Sequence, residues 1–282
     1  ELVSQEERKY QTIGLTPDKY EQALAALERK DTETLLNLAQ KSQKVITANE
    51  AAYPPSTKSR FFLPDAGYYE PSRGELHERL VAEALAGKSP AKHPTITILA
   101  GPPGVGKSHF KHYMTERTAV ETDPDRLKAA LCPEYDGLNP EHVAATHEES
   151  LDIAQMILDA SIQKGLDVMC ESTFRAPDWV RGVIAKAGES DYQTEAIFLH
   201  KDLARCFRDA FQRSERPVSL SFLLSSMKGY DTFQTLRDEG AFTKVRLIAM
   251  NGSEPQDKSN DEEYAQKMYE SLEVFRPLLN EL

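Results

Sequence analysis

A short glycine-rich stretch near the middle of the chain has the clearest chemistry. It reads Gly101-Pro-Pro-Gly-Val-Gly-Lys-Ser108 and matches the pattern G-x-x-x-x-G-K-[ST]. Glycines there let consecutive backbone N–H groups turn inward around phosphate oxygens, and a helix that opens at the loop favours the anion further. Lys107 is placed to reach the β- and γ-phosphates, and the Ser108 hydroxyl is placed to bind Mg²⁺. The pattern predicts a nucleoside triphosphate site.

The segments on either side of this stretch fit that interpretation. A β-branched apolar run at 95–99 precedes it, and 110–114 is predicted to continue as a helix. This context disfavours the alternative of a Gly/Pro turn that merely joins a strand to a helix. We expect the nucleotide to contact Gly101, Pro102, Pro103, Gly104, Val105, Gly106, Lys107, Ser108 and His109.

Two further groups of polar residues follow predicted strands. In parallel α/β sheets, ligands bind at the carboxyl ends of the strands, so these groups should converge on the glycine-rich loop. The first group follows the run 119–122 and the second follows the run 165–170. Their members are Asp123 and Asp125, then Glu171, Thr173 and Arg175.

A kinase acting on a hydroxyl needs a carboxylate that accepts the proton of the attacking group. We choose Asp125 for this role, with Asp123 as the alternative. Asp123-Pro124 also fits a helix N-cap followed by proline at the first helical position, which would leave Asp125 facing the pocket. Glu171 and Thr173 are expected to bind substrate hydroxyls or to orient the waters of the metal, with helix capping as their alternative. We assign substrate binding to Asp123, Glu171, Thr173 and Arg175.

Four arginines follow the fourth predicted strand, where a lid over the nucleotide is expected. Arginine binds phosphate in a bidentate manner and stabilises the charge of a transferring phosphoryl group. Arg205 and Arg208 are assigned to nucleotide binding, and Arg213 and Arg216 to catalysis beside Lys107 and Asp125. For any single one of the four, a solvated helix face is the alternative.

The elements that must position these residues alternate between strands and helices. Strands are predicted at 95–99, 119–122, 165–170, 194–199 and 245–250. This alternation predicts an α/β fold, a P-loop NTPase-type parallel sheet flanked by helices. An N-terminal helical extension at 1–68 precedes the core domain at 69–282. Within the extension, 1–13 is expected to be at most weakly helical and the segment from 56 onward to be a loop.

The composition indicates a globular protein with a substantial core. Of 282 residues, 40% are hydrophobic and 28% charged, and no apolar run approaches the ~20 residues that span a bilayer. A formal net charge of −11 argues against nucleic acid or an anionic membrane as the main partner. Three widely spaced cysteines favour neither disulfides nor a zinc site, so we expect a cytoplasmic protein. The start at Glu1 rather than Met suggests a fragment of a longer chain.

Together these motifs resemble the zeta-toxin family of P-loop kinases, in the wider group that contains polynucleotide kinase and chloramphenicol phosphotransferase. The resemblance runs from about Tyr69 to Met250. Asp123-Pro-Asp125-Arg-Leu-Lys128 resembles the family's D-x-D motif, in which the second Asp is the general base. Glu171-Ser-Thr173 resembles its E-x-T substrate motif, and the segment 233–247 resembles the part that leads into its last strand.

The resemblance implies an ATP- and Mg²⁺-dependent kinase domain at 69–282 that phosphorylates a sugar or ribose hydroxyl of a small nucleotide conjugate. It favours UDP-N-acetylglucosamine as the acceptor, with NAD second. It also implies a bacterial protein, for which secretion as an effector stays open, and an antitoxin or chaperone that covers the nucleotide site. A polynucleotide kinase and a non-kinase nucleotide switch are the alternatives. A switch would need a water-positioning residue and a nucleotide-dependent partner.

Overall fold

The apolar runs of the sequence form one sheet at the centre of the fold. A computed structural model describes residues 4–114, 118–213 and 217–282. The strands in these ranges are β1 Phe62–Leu63, β2 Tyr68–Tyr69, β3 Thr95–Ala100, β4 Val120–Thr122, β5 Val168–Ser172, β6 Gln193–His200, β7 Lys244–Ala249 and β8 Gln256–Asp257. Strands β3 to β8 pair in the order β4-β5-β3-β6-β7-β8, and β1 pairs with β2 in a separate hairpin.

The five strands predicted from the sequence are parallel to one another. β3 lies between β5 and β6, so the strand that precedes the glycine-rich loop is covered on both edges. β3, β5 and β6 are largely buried, as expected for apolar runs in a parallel sheet covered by helices. Strand β8, which pairs antiparallel with β7 at the edge of the sheet, is not predicted from the sequence. A strand of two exposed residues leaves no apolar run to detect.

Helices surround this sheet and make up most of the remaining structure. None in the described part of the chain is both long and apolar enough to cross a membrane. The helices are α1 Gln5–Ile13, α2 Pro17–Arg29, α3 Thr32–Glu50, α4 Thr57–Phe61, α5 Pro71–Leu85, α6 Lys107–Lys111, α7 Pro124–Leu131, α8 Pro140–Gln163, α9 Pro177–Glu189, α10 Leu203–Gln212, α11 Leu220–Ser225, α12 Lys228–Asp238 and α13 Glu262–Glu273, with a 3₁₀ turn at Arg276–Asn280.

The expectation of a weakly helical start is wrong for residues 4–13. Ser4 accepts a hydrogen bond from the backbone N–H of Glu7, and the Glu7 carboxylate accepts one from the N–H of Ser4. This reciprocal capping box satisfies two otherwise unpaired donors and starts α1. At the other end Ile13 is fully buried in the main hydrophobic core. The helix therefore combines a local start signal with a buried apolar residue at its C-terminal end.

Aromatic side chains attach the N-terminal helices to α10. The ring of Tyr20 on α2 lies 5.2 Å from that of Phe207 and 4.4 Å from that of Phe211, measured between centroids. Tyr10 on α1 lies 4.8 Å from Phe211. These residues belong to the same hydrophobic cluster as the strands of the central sheet, apart from Tyr10, which packs against it. The extension is thus continuous with the core through the helix that follows β6.

Replacing Tyr20 with alanine should destabilise the protein measurably. Tyr20 is 5% exposed, and loss of a buried aromatic ring costs roughly 3 kcal/mol of unfolding free energy. Tyr68 is 59% exposed and provides a matched control, for which a change within about 0.5 kcal/mol is expected. Urea unfolding followed by circular dichroism measures both. Equal effects of the two substitutions would contradict this account of the extension.

The segment from residue 56 onward is more ordered than the loop expected from its prolines and glycines. It forms α4 and the β1–β2 hairpin, which lie beside α5 and α8. Glu149 on α8 is buried beneath it and receives two hydrogen bonds from Arg73, at 2.6 and 2.8 Å, and lies 2.6 Å from the His77 ring. Burial would raise the pKa of Glu149, but the hydrogen bonds from His77 and Arg73 hold it at about 2. This network joins α5, which carries Arg73 and His77 and follows the hairpin directly, to α8.

Candidate active site

The glycine-rich loop connects β3 to α6 with three backbone conformations that favour glycine. The φ angles are +145° at Gly101, +79° at Gly104 and +102° at Gly106. A Cβ added at Gly104 would also lie 1.9 Å from the carbonyl oxygen of Cys206 on α10. The loop therefore exposes main-chain groups on one side and packs against the backbone of α10 on the other.

The other loop residues divide into a buried set and an exposed set. Pro102, Pro103 and Val105 are buried, whereas Ser108 and His109 are exposed at the start of α6. The ring of His109 packs edge-on against Tyr113, with centroids 5.3 Å apart. The Ser108 hydroxyl is thus accessible to a ligand.

Lys107 is partly buried and folds back over the loop. Its ammonium donates to the carbonyl oxygen of Gly101 at 3.0 Å and lies 3.4 Å from that of Pro102. Burial lowers the pKa of Lys107 to about 8, a shift opposed by the negative charges of Glu171 and Asp125 and assisted by Arg213. These side chains act on Lys107 because they approach the same edge of the sheet.

The two aspartates after β4 have different environments. The carboxylate of Asp123 accepts a hydrogen bond from the backbone N–H of Asp125 at 3.0 Å and is the N-cap of α7. Burial raises the pKa of Asp123, and the nearby Glu171 raises it further. Asp125 is exposed in the first turn of α7 and forms an ion pair with Lys128, with 2.9 Å between Oδ1 and Nζ.

Lys111, a residue not singled out in the sequence, connects α6 to Glu171 at the end of β5. The ammonium of Lys111 on α6 lies 2.6 Å from Glu171 and 3.0 Å from Glu121 on β4. Burial would lower the pKa of Lys111, but its hydrogen bonds with Glu171 and Glu121 raise it. Lys111 follows Lys107 by one helical turn, and that spacing is the only signal in the sequence that points to it.

The segment after Glu171 turns sharply before α9. Phe174 has a φ of +59° and is completely buried, which turns the chain at this point. A Cβ added at Gly229 on α12 would lie 1.9 Å from the carbonyl oxygen of Thr173, so α12 supports this turn through its main chain. Arg175 leaves the turn, donates to the Ser225 hydroxyl at 3.0 Å and lies 4.7 Å from the ring centre of Phe222.

The four arginines assigned to the lid have different contacts. Arg205 on α10 donates to the carbonyl oxygen of Asn251 at 2.7 Å, in the loop after β7. Arg208 pairs with Glu28 on α2 at 3.3 Å, which ties α10 to the N-terminal extension. Arg213 ends α10 and its charge acts on Lys107. Arg216 lies outside the described residues.

Sequence, fold and site together define a class of protein. A mainly parallel sheet with a G-x-x-x-x-G-K-S loop after a central strand defines the P-loop NTPase-type fold. Within that class, a family model for zeta toxin matches residues 80–264, and the chain belongs to that family. No curated protein matches the chain in sequence.

Solved structures with a similar fold include members of two systems. One is described as the PezAT chromosomal toxin-antitoxin system of Streptococcus pneumoniae, at 16% identity over 76% of this chain and 96% of that chain, with a TM-score of 0.54. The second is described as AvrRxo1-ORF1:-ORF2 with ATP, at 14% identity over 76% of this chain and 82% of that chain, with a TM-score of 0.59. Identities this low show a shared fold.

Proposed function

We propose that the protein is an ATP- and Mg²⁺-dependent kinase that phosphorylates a sugar or ribose hydroxyl of a small nucleotide conjugate. UDP-N-acetylglucosamine is the favoured acceptor, with NAD second. One observation carries the proposal: Glu171 lies at the carboxyl end of β5, and Asp125 and Lys107 lie in the helices that follow the neighbouring strands β4 and β3. Their charges influence one another across one edge of the sheet. This edge thus combines a phosphate cradle with carboxylates for an acceptor.

The residues of the loop fit a nucleoside triphosphate. The side-chain-free surface at Gly101, Gly104 and Gly106 would hold phosphate oxygens through backbone N–H groups. Lys107 would exchange its two carbonyl contacts for phosphate oxygens, and the accessible Ser108 hydroxyl would bind Mg²⁺. When bound, ATP supplies the phosphoryl group and Mg²⁺ neutralises part of its charge. A solved neighbour of the same fold is described as containing ATP, which supports this assignment.

The carboxylates have distinct roles in this proposal. Asp125 accepts the proton of the attacking hydroxyl, because its side chain is exposed and is not used as the cap of α7. Asp123 orients the start of α7 and thereby Asp125. Glu171 and Thr173 bind neighbouring hydroxyls of the acceptor. Arg213 stabilises the negative charge that develops during transfer.

The same edge favours a small acceptor over a polynucleotide. Arg175 and Phe222 form a cation–π pair beside the E-x-T turn, a surface suited to one base or diphosphate group. A polynucleotide would need several Lys and Arg contacts to successive phosphates, and a chain with a net charge of −11 is poor in them. A single arginine beside hydroxyl acceptors matches a nucleotide conjugate better.

The experiment that tests the proposal compares acceptors directly. The purified chain is incubated with γ-labelled ATP, Mg²⁺ and equal concentrations of UDP-N-acetylglucosamine, NAD or a 5′-hydroxyl oligonucleotide. We expect label to be transferred to one of the two small conjugates. Preferential labelling of the oligonucleotide at physiological salt would overturn the choice of acceptor class, and ATP turnover with no labelled acceptor would favour a nucleotide switch.

Lys111 should affect acceptor binding more than ATP binding. Substituting methionine removes the ammonium that holds Glu171 and Glu121, and loss of a charged hydrogen bond costs about 1.5–3 kcal/mol. We expect the KM for the acceptor to rise roughly ten- to a hundredfold while the Kd for ATP changes little. Lys244→Met removes a similar pair with Glu195 outside the site and is the control. A selective loss of ATP affinity in Lys111→Met would contradict this role.

A protein partner that covers the nucleotide site forms part of the proposal. One solved structure of this fold is described as part of a toxin-antitoxin system, and another is described as an AvrRxo1-ORF1:-ORF2 complex. Both descriptions support such a partner here. An antitoxin or chaperone of this kind would keep the kinase inactive until its release.

A further inference from the structure

Lys128 is a completely buried lysine whose charged end meets the active-site edge. It lies on α7, three residues after Asp125, and its side chain is 0% exposed. Its Nζ lies 2.9 Å from Oδ1 of Asp125, whose own side chain is 55% exposed. The pair thus joins a lysine that water does not reach to a carboxylate that is open to solvent.

Because Lys128 is buried and Asp125 is exposed, the ion pair affects the two residues differently. An ammonium removed from water is costly unless a negative charge compensates for it. Asp125 provides that charge, and in return it experiences a positive charge that bulk water screens only weakly. Water solvates the exposed side of Asp125, so the carboxylate remains accessible to a substrate proton.

Within the described part of the chain, the charged groups near Asp125 on the neighbouring elements pair with other partners. On α7 itself, Asp123 is the helix cap and Arg126 lies 3.6 Å from it and 2.9 Å from Glu121. Lys111 on α6 bridges Glu121 and Glu171. On the side where α8 and α5 pack, Glu149 is paired with Arg73 and His77. Lys107 acts on Asp125 from the loop and is the cation assigned to the nucleotide phosphates.

We propose that Lys128 is a positioning residue that keeps Asp125 ionised and oriented for proton acceptance. The inference rests on the proposed function, in which Asp125 is the general base. During transfer, the proton of the acceptor hydroxyl moves to the Asp125 carboxylate while the hydroxyl oxygen bonds to phosphorus, and the leaving oxygen of ADP takes the electron pair of the broken bond. Lys128 keeps its own proton throughout and acts only through Asp125.

Carbon-13 NMR of labelled aspartate side chains tests this without any substrate. The resonance of Asp125 is identified as the one missing from Asp125→Asn. In Lys128→Met, which keeps an apolar stem of similar length, the titration midpoint of Asp125 should move upward by about 1–3 pH units relative to the wild type. Lys128→Arg retains the charge and should leave the midpoint within about half a pH unit of the wild type. A purely steric role of Lys128 would not predict that the charged variant keeps the midpoint while the neutral variant shifts it. An unchanged midpoint in Lys128→Met overturns the proposal.

A control and a second variant keep the result interpretable. Lys186→Met breaks a 2.6 Å ion pair with Asp159 at the surface and should leave the Asp125 titration unchanged. If Lys128→Met does not fold, Lys128→Gln supplies a neutral polar replacement. The same upward shift of the Asp125 midpoint is expected, and an unchanged midpoint again counts against the proposal.

Phosphoryl transfer by Asp125→Asn separates the role of Lys128 from the proposed role of Asp125 as the base. Full activity there removes Asp125 as the base, whereas a missing NMR shift removes only the role of Lys128.

Discussion

Lys107→Ala is expected to abolish phosphoryl transfer while leaving the protein folded. The ammonium contacts only two loop carbonyls among the hydrogen bonds of the described residues, so its loss removes little from the fold. With nucleotide bound it would supply the charge nearest the transferring group, and removing such a group costs at least ~10²–10³-fold in rate. Labelled-phosphate transfer measures the rate, and thermal unfolding measures the fold. Lys92→Ala, at an exposed lysine before β3, is the control.

The pKa of Lys107 adds a pH dependence to the same experiment. Because burial lowers this pKa to about 8 in the free protein, Lys107 is charged below pH 8 and neutral above it. ATP affinity of the wild type should therefore fall as the pH rises through 8, and Lys107→Ala should lack that step. Calorimetric titration with ATP at pH 7 and pH 9 measures it. A wild-type activity in Lys107→Ala would show that the loop does not bind the phosphates.

Asp125→Asn is expected to lower kcat by about 10²–10⁴-fold with little change in the Kd for ATP. Asparagine keeps the size of the side chain but cannot accept a proton from the acceptor hydroxyl, and loss of general-base catalysis has that magnitude. Steady-state kinetics with a saturating acceptor gives kcat, and equilibrium titration gives the ATP affinity.

Asp123→Asn is the matched control for this substitution. Asparagine caps helices as well as aspartate does, so the hydrogen bond from the N–H of Asp125 survives and α7 should start normally. We expect a smaller loss of kcat than in Asp125→Asn. If Asp123→Asn is inactive and Asp125→Asn is not, the two residues exchange roles, and if both are active the base lies elsewhere.

The sequence predicted the strands and turns whose conformation depends mainly on neighbouring residues. The β-branched run of β3 and the glycines after it determine a strand and a turn with little help from the rest of the chain. The parallel arrangement followed from the alternation of strands and helices. The family assignment followed from the order of the motifs and is confirmed by the match at 80–264.

The missed features have two different causes. The capping box of Ser4 and Glu7 was visible in the sequence as S-x-x-E, but the polar composition of α1 hid it. The contacts of Lys111 with Glu171 and of Arg208 with Glu28 depend on which strands and helices become neighbours. A basic residue on a helix face gives no sign of such a distant partner. The spacing of Asp125 and Lys128 was visible, whereas the burial of Lys128 was not.

Two close main-chain contacts fix the backbone of the candidate site. Gly104 meets the carbonyl of Cys206, and Gly229 meets that of Thr173, so neither position has space for a methyl group. Helices α10 and α12 thus contact the two turns of the site through main-chain atoms. If the proposed function holds, retargeting the kinase to another acceptor would be a matter of exchanging side chains such as Arg175 on a backbone that stays in place. Gly104 and Gly229 themselves accept no larger side chain without a shift of the backbone.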